Sequence, residues 1–222
     1  MATSGGILSG RMLAPWLALL AATAMPATAQ VTSQGRGSMT FTLGQGSGPT
    51  GGIAADIVAG NRNAPDTKVH ATTFRIGGGY QFADYGAAEV ALTHMGTLRS
   101  RAPFAGTDTL VAETQFDAVE ADLVGRIPLA SSFRVDLSIG AALTGLKTTL
   151  KTQQGSALPP EPGTLNARRA GLAAGVDAEW RLGPSVSLIA GYHLFSHVGS
   201  SKVVGLASGN MTLIAGGIRI EF

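Results

Sequence analysis

The sequence predicts an all-β protein, an eight-stranded antiparallel up-and-down transmembrane β-barrel, and three observations carry that prediction. Apolar residues recur at every second position over long stretches, which is the period of a strand with two different faces. The gaps between these stretches alternate between long and short. Within the stretches, the charged residues keep almost entirely to one parity. The closing segment shows the pattern plainly: in T-L-I-A-G-G-I-R-I-E-F, Ile218, Ile220 and Phe222 alternate with Gly217, Arg219 and Glu221.

Residues 1–29 stand apart. Arg11 is the only charge in residues 1–30, Leu13 to Ala24 is a short apolar run, and Ala27-Thr28-Ala29 supplies small residues at the spacing of a cleavage site. This reads as a cleaved secretory signal peptide, cut between Ala29 and Gln30. The run is shorter than a membrane-spanning helix needs, and Pro15 and Pro26 bracket it. Residues 30–222 then form one barrel domain. Without Arg11 that domain has 15 basic and 14 acidic residues, a near balance that gives no reason to expect a nucleic-acid partner. The chain has no cysteine, so an exported domain must rest on its hydrogen-bond network and packing.

The elements follow in order. A first strand covers about Ser38 to Gly46, and a glycine-rich loop from Ser47 to Val69 follows, broken by Asn61, Asn63, Pro65 and Asp66. Strand two, about His70 to Phe82, turns at Ala83-Asp84-Tyr85 into strand three, about Gly86 to Leu98. A loop with Pro103 and Gly106 leads to strand four, about Thr114 to Pro128, which turns at Ala130-Ser131-Ser132 into strand five, Phe133 to Leu150. A loop with Pro159, Pro160 and Pro162 precedes strand six, about Arg168 to Leu182. Gly183-Pro184-Ser185 turns it into strand seven, Val186 to His197, and a loop through Ser200 and Ser201 leads to the closing strand. Three tight turns and four longer loops match the short periplasmic turns and long external loops of a membrane barrel.

Parity sets the two faces. Phe133, Val135, Leu137, Ile139, Ala141 and Leu143 oppose Arg134, Asp136, Ser138 and Thr144; Leu172, Val176, Trp180 and Leu182 oppose Asp177, Glu179 and Arg181. The same sorting places Arg75, Glu89, Glu120, Asp122, Arg126, His193, Arg219 and Glu221 on the second face. A soluble barrel would put that charged face in water. Two features favour the membrane. The charged face is rich in small residues (Gly77, Gly79, Ala91, Gly140, Gly175, Gly191), which suits a crowded interior. Tyr80, Phe82, Trp180 and Phe222 lie on the apolar face near the short turns, where an interfacial aromatic girdle belongs. Ile189, Phe195 and Phe116 fall on the interior face and Asp117 on the exterior, against the scheme.

Gly77-Gly78-Gly79-Tyr80-Gln81-Phe82-Ala83-Asp84-Tyr85 followed by Ala88-Glu89-Val90, with Glu179-Trp180-Arg181-Leu182 and Gly191-Tyr192, resembles the hairpins of the OmpA-type transmembrane domain and its small outer-membrane β-barrel relatives. Gly217, Ile220 and Phe222 resemble the C-terminal assembly signal of that class. The resemblance implies a bacterial outer-membrane location, contact with outer-membrane lipids, and insertion by the barrel assembly machinery. Nothing follows Phe222, so the peptidoglycan-binding domain of full-length family members is not expected.

Catalytic, cofactor-binding and metal sites are not expected. Ser196 and His197 are adjacent and should point to opposite faces, which breaks a nucleophile–base pair. The four histidines lack zinc-ligand spacing, and Gly77-Gly78-Gly79 has no following helix to make a phosphate loop. The interior charges read as a paired core, because an unpaired buried charge is costly and eight strands leave an interior just filled by side chains. The sequence therefore predicts a structural or surface-interaction role carried by the external loops, whose partners it does not name. The alternatives are a narrow passive channel and a barrel enzyme that modifies lipid.

Overall fold

Strands whose alternate residues face different solvents bury neither face by themselves, and closing the sheet solves this while removing its edges. The computed structural model describes residues 36–48, 53–59, 69–104, 108–153, 163–199 and 208–222. The predicted signal peptide lies outside these residues, as do most of the breakers in the long loops.

Eight strands run in chain order: β1 (Arg36–Gly48), β2 (Val69–Ala83), β3 (Gly86–Phe104), β4 (Asp108–Ala130), β5 (Phe133–Gln153), β6 (Thr164–Arg181), β7 (Val186–Gly199) and β8 (Ser208–Glu221), with one short helix, α1 (Ile53–Ala59), between β1 and β2. Each strand pairs antiparallel with its neighbour in sequence, and β8 closes on β1. Pairing can be followed once around from Glu221 through Ser38, Gly79, Glu89, Asp122, Gly140, Ala173 and Phe195 to Met211, ten residues from the start on the same strand. That stagger tilts the strands by about 40° and leaves an interior that side chains fill.

The faces are arranged as a membrane requires. Leu43, Leu92, Leu123, Ile139, Leu143, Leu172 and Ile214 point outward and are more than half exposed, while Arg75, Glu120, Asp136, Glu179 and Arg219 are buried inside. From Phe133 to Leu143 the apolar wall of β5 spans about 25 Å along the axis, the height of the lipid-facing band of such barrels.

Strand lengths differ from the sequence reading. Strands β3 and β4 extend to Phe104 and from Asp108, across a stretch predicted to be loop, and β6 begins at Thr164. A bulge between Met95 and Leu98 inverts the inward parity from odd to even residues, so Leu98, Ser100 and Ala102 are buried where unbroken alternation would expose them. A second bulge between Phe195 and Val198 does the same in β7. Helix α1 was also not foreseen; its stretch reads as part of a glycine-rich loop.

Close approach of backbone explains one glycine at the seam. A Cβ on Gly217 would run into the Phe41 carbonyl oxygen and Thr42 Cα of β1, so any side chain there pushes β8 off β1. The terminal turn is tied as well: Gly37 and Phe222 exchange two backbone hydrogen bonds of 2.9 Å, which zip the last residue onto β1.

Candidate functional site: the charged interior and its apolar seal

Inward parity on eight strands brings the predicted interior residues together in the lower half of the barrel. Two arginines organise them. Arg75 on β2 pairs with Glu89 at 2.7 Å and donates through Nε to Glu120 at 2.6 Å. Arg219 on β8, the largest fully buried side chain, pairs with Asp136, with Glu179 at 2.5 Å and with Glu89 at 3.4 Å, and its Nε donates to Thr40 Oγ1 at 3.1 Å. Glu89 is shared, so the two clusters are one network.

Nearer the short turns, Arg134 donates to Glu179 at 2.8 Å and to Glu221 at 2.7 Å. Arg126 donates to Gln81 at 2.5 Å and lies 3.8 Å from Glu221 and 3.9 Å from Asp136. His193 and Asp177 share a hydrogen bond of 3.1 Å, and Asp122 stands 3.9 Å from Arg75. Gly191 opposite Asp177 leaves room for that carboxylate, whose Oδ1 would overlap a Cβ there.

Arg181 differs from the other predicted members. It keeps the inward parity but is exposed at the short-turn mouth, and among the described residues no ion pair reaches it. The mouth is a shallow depression lined by Pro128, Phe133, Arg134, Glu179 and Arg181. Sequence reasoning left Gln81, Thr40 and Thr93 out of the network, although each lies on the inward face of its strand; Thr93 donates to Glu120 at 3.3 Å. Uncharged polar residues attract less notice than charges, yet they complete the hydrogen bonding of buried ions.

Above the charged tier the interior changes chemistry. Met95, Leu98, Phe116, Leu146, Phe195, Val198 and Met211 are buried together with Ala71, Ala118, Ala142 and Ala173, and the Phe116 and Phe195 rings meet with centroids 5.5 Å apart at 59°. Phe116 and Phe195, which defied the parity scheme as misplaced hydrophobes, are thus the centre of an apolar layer. Ile189, the third exception, is buried in register between Glu179 and Gly217. Higher still, α1 packs Ile53 and Ala54 against Ala102, Leu110 and Ala112, and the Ala54 N–H donates to Ser100 Oγ at 2.9 Å.

On the outside, Asp117 and His94 form a pair at 2.6 Å, with side chains 66 % and 39 % exposed, at the upper edge of the apolar wall. Tyr80, Phe82, Trp180 and Phe222 point outward at the opposite edge, and Ile220 lies on that same face. The expectation that Ser196 and His197 point apart needs correction. His197 has φ of 57° within the β7 bulge, and its Nδ1 comes within 3.1 Å of Ser196 Oγ, which also accepts the Leu172 N–H at 3.0 Å. Among the described residues no carboxylate pairs with this imidazole, the third group that orients the base in a nucleophile–base pair. Among the described residues no cluster of His, Cys, Asp or Glu is arranged to hold a metal.

The same architecture recurs among solved structures. Neisserial surface protein A (NspA), from Neisseria, is 12 % identical with a TM-score of 0.57, covering 86 % of this chain and 100 % of its own. The attachment invasion locus protein Ail of Yersinia pestis is 14 % identical at a TM-score of 0.48, with 86 % and 100 % covered. The outer membrane protein OprG from Pseudomonas aeruginosa is 12 % identical at 0.48, with 84 % and 96 % covered. At 12 % identity the likeness to NspA speaks for the fold alone. No curated protein sequence matches the chain. The family model described as outer membrane protein beta-barrel domain matches residues 16–214, and the chain belongs to that family of the bacterial outer membrane.

Proposed function

We propose that this protein is a non-catalytic integral outer-membrane barrel with a structural or surface-interaction role, in which the external loops carry specificity. The apolar layer around Phe116 and Phe195 carries the reading. A conducting barrel needs a continuous polar path, whereas here buried Met95, Leu98, Leu146 and Met211 stand between the charged tier and the external side. A hydrophobic constriction of this kind opposes ion passage by excluding water. Binding residues tend to sit on loops held by rigid scaffolds, and the barrel supplies such a scaffold. Its partners under this reading are outer-membrane lipids along the wall and, during biogenesis, the barrel assembly machinery, which would read Gly217, Ile220 and Phe222. Export would use residues 1–29 as a cleaved signal peptide.

Planar-bilayer recording on the protein expressed from its full chain tests the proposal: the expected trace is silent, and reproducible unitary conductance steps would favour a narrow channel instead. Release of fatty acid from added lipopolysaccharide would favour an enzyme, and none is expected.

A further inference from the structure

The barrel wall is lopsided. Strands β3 to β6 have 18 to 23 residues, whereas β1, β2, β7 and β8 have 13 to 15. The extra length lies at the external end. There the outward residues of the tall side include Arg99 and Arg101 on β3, Lys147 and Lys151 on β5, and Arg168 on β6, against Glu113 and Asp117 on β4. Glu113 is already engaged by Lys151 at 2.5 Å and Arg99 at 3.2 Å, and Asp117 by His94. Arg101, Lys147 and Arg168 have no acid within ion-pair distance among the described residues. On the short side the outward positions at the same level are Gln45, Ser47, Thr72, Ser196, Asn210 and Thr212, all uncharged, with His70 and His197 beside them.

Direction and height decide what such a patch meets. Side chains stand perpendicular to a sheet, so these cations project sideways over the lipid leaflet instead of upward into the medium. Lys147 lies four residues beyond Leu143, and Arg168 four residues beyond Leu172, the last large apolar residues on the outward face of their strands. With a 3.3 Å rise tilted by about 40°, four residues raise a side chain about 10 Å above the apolar wall. That is the outer edge of the headgroups, which add roughly 5–8 Å to each side of the hydrocarbon, and the long Lys and Arg side chains can bend back into them. Between Asp117 and Arg168 the row passes through Gly145, whose missing side chain leaves a notch in the wall. Arg99, Arg101 and Lys151 continue the cationic surface above that plane, higher than a simple phospholipid headgroup reaches.

We infer that the outer face of β3–β6 is a binding surface for the phosphorylated saccharide headgroup of an acylated glycolipid in the surrounding outer leaflet, with Lys147 and Arg168 at the level of its phosphates. The inference rests on the membrane-embedded reading of the barrel and adds to it a site of stated chemistry.

The test uses the protein expressed from its full chain, in nanodiscs of zwitterionic phospholipid titrated with bis-phosphorylated lipid A, with bound glycolipid counted by native mass spectrometry. Binding is expected to weaken with rising ionic strength and to fall about ten-fold or more in the double variant K147Q/R168Q, because each such cation near an anionic surface contributes on the order of a ten-fold factor or slightly less. R36Q, which removes one charge at the periplasmic end, is expected to leave it unchanged. Equal binding by the double variant, equal binding of dephosphorylated lipid A, or equally tight binding of a soluble phosphorylated oligosaccharide without acyl chains would each overturn the inference. Heat-dependent gel migration separates the two levels. A barrel that still shifts on boiling but ignores the phosphates overturns the site alone, while loss of the shift in the unaltered protein overturns the embedded barrel as well.

Discussion

The lower and upper halves of the barrel interior fill the same cross-section with opposite chemistry. Below, Arg75, Arg126, Arg134 and Arg219 hold together six carboxylates beside the His193–Asp177 pair; above, Phe116, Phe195 and their neighbours form an apolar layer. Both are enclosed by the same strands, but the exterior is apolar beside the charged tier and turns polar beside the upper one, at His94, Asp117, Lys147 and Thr212. The contrast teaches that the outside of the wall is dictated by lipid, whereas the inside is free to be polar or apolar provided each tier satisfies itself. A charged tier achieves this by pairing, and its members are mutually dependent. An apolar tier achieves it by packing, and its members are more nearly additive in effect.

The largest expected effect comes from breaking the pairing. Arg219→Leu strands Asp136 and Glu179 without their main partner, and removing one side of a buried ion pair typically costs about 3–5 kcal/mol. The expected result is a strong loss of the heat-shifting folded species in urea titrations read by gel migration; an unchanged midpoint would mean that the tier does not depend on pairing. A paired deletion sharpens the point, since removing Glu179 as well as Arg219 should recover part of the loss.

Next comes the apolar tier. Phe116→Ala or Phe195→Ala should each destabilise by about 3–5 kcal/mol at most, the range for burying and then deleting an aromatic ring. The double variant is more informative for function: with both rings gone, conductance should appear where the parent is silent. Continued silence would place the seal elsewhere. A smaller effect attends Ser100→Ala, which removes the acceptor for the Ala54 N–H. About 1 kcal/mol is at stake, and hydrogen exchange at residues 53–59 should speed up while the strands stay protected.

The smallest effect concerns the exposed ion pairs on the tall wall. The hydrogen bond from Lys151, helped by the nearby charges of Lys151 and Arg99, holds the Glu113 carboxyl below its usual value. A depressed carboxylate contributes stability that is present above its unfolded value and is lost as pH falls through the folded one. Glu113→Gln should therefore flatten only the acid end of the stability profile, by little, because exposed pairs are screened. A large change at neutral pH would contradict this.

Much of the fold was legible because lipid imposes a simple rule: each strand residue is either in hydrocarbon or out of it, and parity records which. The turns at Asp84-Tyr85 and Ser131-Ser132 are short and polar, and the order of long and short connections follows directly. Legibility stopped where parity broke. The bulge after Met95 and that after Phe195 each insert one residue, so the upper parts of β3 and β7 present their faces in the opposite phase. The β3–β4 hairpin consequently reads as a loop around Pro103 instead of the tallest part of the wall. Helix α1 was hidden because Ile53, Ala54 and Ile57 face a surface made by β3 and β4, not one set up by neighbours in sequence.

Below the two bulges, the sequence by itself determined which residues meet lipid and which turn inward, since that choice is made residue by residue along one strand. It also determined the compositional asymmetry between Arg219 and Phe195 as interior residues. Only the tertiary structure decided their partners. Whether Arg219 meets Asp136 and Glu179 depends on the ten-residue stagger of the closed sheet, and a stagger is a property of eight strands paired at once, which no single strand encodes.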